Sequence, residues 1–105
     1  MFPTAAAEIQ ALAVELLEQY NVSIVVIMEM LTFPVHGTPW CQRVNQVLRE
    51  RVADSRRIWF WKHRREMFSQ RRSPYSRDRV HLGHDGMTLY WSGVRRAAVA
   101  ALARV

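Results

Sequence analysis

Val22-Ser23-Ile24-Val25-Val26-Ile27-Met28 is the stretch on which the reading of this chain turns. Only Ser23 interrupts its apolarity, and β-branched residues dominate it. A strand covered on both faces needs such a run, because no side chain on it meets water. The run continues through Glu29 to Leu31, which is still far too short to span a bilayer. A buried helix would be equally apolar. The density of Val and Ile and the tight fit after a preceding helix favour a strand.

Upstream, Ile9, Leu12, Leu16, Leu17 and Tyr20 recur at helical spacing, with Glu8, Glu15, Glu18 and Gln19 largely opposite them. This predicts a helix over about 5–20, with Thr4 as its N-cap and Asn21 ending it. Downstream, two prolines and a glycine make Thr32 to Pro39 a loop at the strand's C-terminal end. Thr38-Pro39 then reads as N-cap and first helical position of a second helix, Trp40 to Ala53. Val44, Val47, Leu48 and Val52 form its inner stripe, and Arg43, Gln46, Arg49 and Glu50 face solvent.

Ile58-Trp59-Phe60-Trp61 is a second, aromatic strand, whose alternation sends Trp59 and Trp61 to one face and Phe60 to the other. Lys62 to Arg77 is basic and irregular, an ordered loop over the sheet edge with one helical turn near Glu66-Met67-Phe68. A last helix starts near Asp85 as N-cap and runs to the C-terminus. Tyr90, Val94, Ala97, Ala98, Ala101, Leu102 and Val105 share one of its faces, with Arg95 and Arg96 outside. Alternation of helix and strand implies a parallel sheet with right-handed crossovers and helices on both faces. The expected fold class is therefore α/β: a single partial domain over residues 1–105, three-layered α/β/α, with a short parallel sheet flanked by helices. Two strands are too few for a stable sheet. Either strands belong upstream, or an exposed sheet edge drives self-association.

The net charge of +6 is unevenly placed. Residues 1–42 hold four acids and no base, whereas fifteen bases, fourteen of them Arg, stand against five acids from Arg43 onward. One reading is nucleic-acid binding through the Arg-rich loop 62–79, because such side chains release counterions from phosphates. The other is a solvated face that reflects the base composition of the gene. Cys41 is alone, so no internal disulfide forms. The N-terminus has no basic region preceding an apolar one, and the expectation is a cytoplasmic protein without a membrane span.

Asp78-Arg79-Val80-His81-Leu82-Gly83 carries the best candidate chemistry. It follows the last strand and precedes the last helix, where open parallel sheets gather reactive groups. An Asp three residues before a His can take the imidazole Nδ1–H, fix the tautomer and leave Nε2 as a base. On spacing alone, a capping Asp and a His packed at the sheet edge explain the pair more simply, since a lone D-x-x-H is common. Cys41, in the first turn of the second helix, could be activated by the helix dipole, but no His or Asn is tied to it by sequence. Among His36, His63, His81 and His84 only the last two are close, and no ligand array completes a metal site. No cofactor is expected. Trp59-Phe60-Trp61 beside Lys62-His63-Arg64-Arg65 could stack bases, although core packing accounts for the aromatics more simply.

The pattern D-x-x-H-L, a glycine, then a helix with Tyr90, Val94 and Arg95 resembles the final block of the SGNH (GDSL-like) hydrolase family. The order of elements is also similar: helix, apolar strand ending in a proline-containing loop, a helix with Val44-Asn45-Gln46-Val47-Leu48, then a short strand. The chain is most similar to SGNH-like domains of animal proteins, some in retroelement-like reading frames. The resemblance covers residues 5–105, but only Asp78 and His81 are motif-grade, and Arg79 stands where family members often have Gly. It implies a flavodoxin-like sheet, His81 as general base and Asp78 as its orienting carboxylate. It also implies an acyl-ester substrate, taken only together with the missing N-terminal half. The family's nucleophilic Ser sits in a G-D-S block after the first strand, with oxyanion donors in the next two blocks, and these blocks are not in this sequence. No serine here follows a strand in a sharp Gly-bounded turn. Asp78 and His81 without a nucleophile lower an acyl-transfer barrier little, so the chain alone is expected to be inactive.

Overall fold

In the computed structural model, residues 2–31, 38–63 and 82–105 are described. Helix α1 spans Phe2–Gln19. The sequence reading placed Thr4 before the helix as its cap, but the helix continues through it, carried by Ala5-Ala6-Ala7, the strongest helix formers. Its inner stripe is Ala6 and Ala13, both buried, with Ile9 and Leu17 packed beside them. Leu12 and Tyr20, expected inside, are 56 % and 68 % exposed. Small side chains mark the side on which α1 approaches its neighbour closely. Asn21 ends the helix as expected, with φ at 55°, a left-handed conformation that Asn tolerates better than most residues.

Strand β1 is Val25–Met28, beginning three residues later than the apolar run. Residues 22–24 have no ladder partner. The Arg57 guanidinium instead donates from Nη2 to the Val22 carbonyl (2.7 Å) and from Nε to the Ser23 carbonyl (3.0 Å). Helix α2 is Thr38–Val52 and buries the expected Val44, Leu48 and Val52, joined by Cys41. Its outer face carries a chain of side-chain bonds, Arg43 to Gln46 (3.2 Å) and Gln46 to Glu50 (3.3 Å). Ser55 Oγ then accepts from the Arg57 and Ile58 backbone N–H groups (3.3 and 3.0 Å), tying the turn into strand β2, Ile58–Trp61.

The strands pair in parallel, Val25 opposite Ile58 and Met28 opposite Trp61. Val25, Ile27, Ile58 and Phe60 join α1 and α2 in one core. Alternation turns Val26, Met28, Trp59 and Trp61 to the other face, where helix α3, His84–Leu102, lies. The described residues thus form a small three-layer α/β/α assembly around a two-stranded parallel sheet.

Helix α3 differs from expectation at both ends. Gly83, not Asp85, occupies the N-cap and makes no side-chain bond, while Asp85 lies in the first turn, where it favours the helix dipole. The buried positions are Gly86, Gly93 and Ala97. Leu102 and Val105, assigned to the inner face by periodicity, are 73 % and 75 % exposed, and Ala98 is also exposed. Tyr90 stands beside His63, after the end of β2, and Arg104 stands over Trp59, near its start. Helix α3 therefore runs antiparallel to the strands and starts at their C-terminal end. The helical turn expected at 66–68 and most of the basic loop lie outside the described residues. Among the described residues no helix is long and apolar enough to cross a membrane.

Candidate functional site

The C-terminal end of the sheet is assembled by three side chains that replace ladder bonds. Glu29 follows β1 directly, and its N–H donates to the Trp61 carbonyl (2.8 Å). In a regular parallel ladder the His63 N–H would next reach the Glu29 carbonyl. It bonds the Glu29 carboxylate Oε1 instead (3.0 Å). That leaves the Glu29 carbonyl for the His63 ring, whose Nε2 lies 2.7 Å away. A carbonyl only accepts, so Nε2 carries the proton and, in the neutral ring, Nδ1 is the acceptor nitrogen.

Met30 is held from the other side. The Asn45 side chain accepts from the Met30 N–H at Oδ1 and donates from Nδ2 to the Met30 carbonyl, both at 2.8 Å. One primary amide thus satisfies both backbone groups of a residue past the strand, as a residue of an adjoining strand would. The pairing explains a polar residue, 8 % exposed, beside the apolar stripe of α2.

Helix α3 closes the site. The His63 and Tyr90 rings lie 5.1 Å apart at 35°. Gly93 is buried opposite them, and a Cβ there would stand 3.8 Å from both His63 Nδ1 and Arg96 Nη2. His63 is thus held on the backbone by Nε2 and against α3 by its other side. This ring orientation is the reverse of a base whose Nε2 must be open. The arrangement fixes the rim of the sheet; it does not supply a nucleophile or a proton acceptor pointing outward.

Of the residues singled out by sequence, Asp78, His81 and His36 lie outside the described residues. Cys41 is fully buried in the stripe of α2. His84 is the exposed first residue of α3, and its carbonyl accepts from Thr88 Oγ1 (3.1 Å). Among the described residues no group of three metal-binding side chains occurs. Glu29, Asn45 and Tyr90 were not singled out by sequence as site residues, and His63 was weighed only as a metal ligand and as part of the basic run beside the aromatic strand. The one readable signal was an acid and an amide set in or beside apolar runs.

No family model, curated protein or solved structure matches the chain.

Proposed function

We propose that this chain is the distal portion of an SGNH-like hydrolase domain that keeps an Asp78–His81 pair and has no esterase activity by itself. The observation that carries the reading is where α3 begins. The run Asp78-x-x-His81-Leu82-Gly83 leads straight into a helix that starts at the C-terminal end of a parallel sheet, the end at which open α/β sheets carry their chemistry. In that role Asp78 would orient the His81 ring through Nδ1–H, and Nε2 would serve a nucleophile supplied by a preceding block. His63 is a poor substitute, since its Nε2 is committed to Glu29.

The test is hydrolysis of short-chain p-nitrophenyl esters. The chain and its His81→Ala variant are expected to be indistinguishable from buffer. Turnover that vanishes in His81→Ala would overturn the claim of inactivity. Pairing itself is read from the imidazole proton spectrum: a hydrogen-bonded His81 Nδ1–H resonance should disappear in Asp78→Ala. Its absence from the parent chain would remove the dyad.

A second reading rests on the sheet. Among the described residues the sheet has two strands, and an unpaired outer edge on such a sheet would be exposed. In the absence of upstream strands, such edges favour self-association.

A further inference from the structure

The opposite end of the sheet, where the strands begin, carries a groove of about 400 Å³. That lies within the range of about 300–1,000 Å³ common for small-ligand sites. Its charged side chains are Arg56, Arg57 and Arg104, and Ile24 and the last residue, Val105, complete the lining. Trp59 forms its apolar wall, and Ser23 adds a hydroxyl.

The fold accounts for one of these arginines. Arg57 spends Nε and Nη2 on the carbonyls of Ser23 and Val22, fastening the entry of β1 to β2. Arg56 and Arg104 have no such duty: among the described residues neither guanidinium makes a hydrogen bond or an ion pair. Both residues meet Trp59, Arg56 through its backbone and Arg104 through its side chain. The Arg56 carbonyl accepts from Trp59 Nε1 (3.2 Å), which anchors the indole edge under the turn. The Arg104 guanidinium carbon lies 5.6 Å from the centroid of the same indole. A guanidinium over a ring face is attracted by the ring, and its N–H groups can still bond a phosphate in two-pronged fashion. Exposed positive charge beside a tethered indole matches a phosphate beside a planar base.

We propose that this groove binds a nucleotide unit, with Arg56 and Arg104 on the phosphate and Trp59 against the base. It lies at the strand end remote from the start of α3 and uses none of the residues invoked for ester chemistry. The same unit occurs in single-stranded nucleic acid and in a free nucleotide.

The experiment is fluorescence anisotropy of a labelled oligothymidylate with the full chain over a salt series, with AMP as competitor. The parent chain should bind near 50 mM salt and weaken as salt rises, as phosphate contacts to single strands require. The Arg56→Ala/Arg104→Ala pair should bind at least tenfold more weakly, and should flatten the log–log salt slope by about 1.4, the loss of two phosphate contacts. Trp59→Leu should weaken binding without changing that slope. Arg95→Ala, an exposed arginine on α3, should bind as the parent does, and far-UV circular dichroism should show all variants folded. Displacement by AMP assigns the free nucleotide as ligand; retention against AMP assigns the strand. The proposal is overturned if the parent binds neither probe, or if the folded double variant binds as tightly as the parent. Either result leaves the ester-hydrolysis question untouched.

Discussion

Asn45 is the residue at which a single atom exchange is most informative. Its amide meets a donor and an acceptor of the same residue, Met30, and only an amide can answer both. Asn45→Asp keeps the contact to the Met30 N–H but sets a carboxylate oxygen against the Met30 carbonyl. Asn45→Ala leaves both backbone groups unanswered. Each unsatisfied buried group costs about 1–3 kcal/mol, and Met30 is only half-buried, so a loss of about 2 kcal/mol is expected for Ala. A urea melt should show Asp falling at least as far as Ala, despite its matching shape. A near-neutral Asp would mean the clamp does not hold in solution. Glu29 makes the complementary case. Glu29→Gln keeps an oxygen for the His63 N–H and should be nearly silent, whereas Glu29→Ala should cost about 1 kcal/mol, the usual worth of one such bond. Equal losses for Gln and Ala would indicate that charge, not the hydrogen bond, matters there. Neither pairing was legible beforehand. Periodicity marks which residues are apolar, but it does not reveal that a carboxylate and an amide stand in for missing ladder bonds.

At the scale of elements, the strands were read from β-branched and aromatic density, and β2 was found at the residues predicted for it. The inner faces of α1 and α3 were read only in part: Ile9, Leu17 and Ala97 face inward as expected, but large apolar side chains draw a periodicity argument toward them. These helices bury Ala6, Ala13, Gly93 and Ala97 and leave Leu12 and Leu102 outside. Small residues set how closely a helix can approach, and their pattern carries little hydrophobic signal. Asp78 and His81 were legible only as a spacing and a resemblance, and they fall outside the described residues. Gly93 converts the argument about small residues into a prediction. A methyl group there meets His63 and Arg96 at ordinary contact distance, 3.8 Å. Glycine inside a helix costs up to about 1 kcal/mol relative to alanine. Gly93→Ala should therefore raise the melting temperature by a few degrees. Gly93→Leu should lower it, since the added branches press on a histidine held by Nε2. A destabilising Gly93→Ala would show that α3 packs more tightly against the rim than these distances allow.

For the whole molecule, what matters is that a parallel pair of four-residue strands forms the entire sheet among the described residues. Parallel strands are ordinarily interior ones, flanked by others. Trp91, Val99 and Leu102 add exposed apolar surface on α3, at 59 %, 60 % and 73 %. The outer edge of β1 can be tested without disturbing the ladder. Val25 and Glu29 donate toward β2, so by alternation the Val26 N–H points away from it. Val26→Pro therefore removes an outward donor and leaves the β1–β2 bonds in place, a position at which an edge strand tolerates proline. If the edge recruits a second copy, sedimentation of the parent chain should depend on concentration in the micromolar range. Val26→Pro should then sediment as a folded monomer. Replacing Trp91 by Lys separates the two exposed features, because it removes apolar surface on α3 and leaves the strand edge intact. Association lost in Trp91→Lys but kept in Val26→Pro would move the contact from the sheet to the helix. A parent chain that is monomeric at every concentration and melts in one sharp transition would show that the chain folds without a second copy, and the self-association reading would fall.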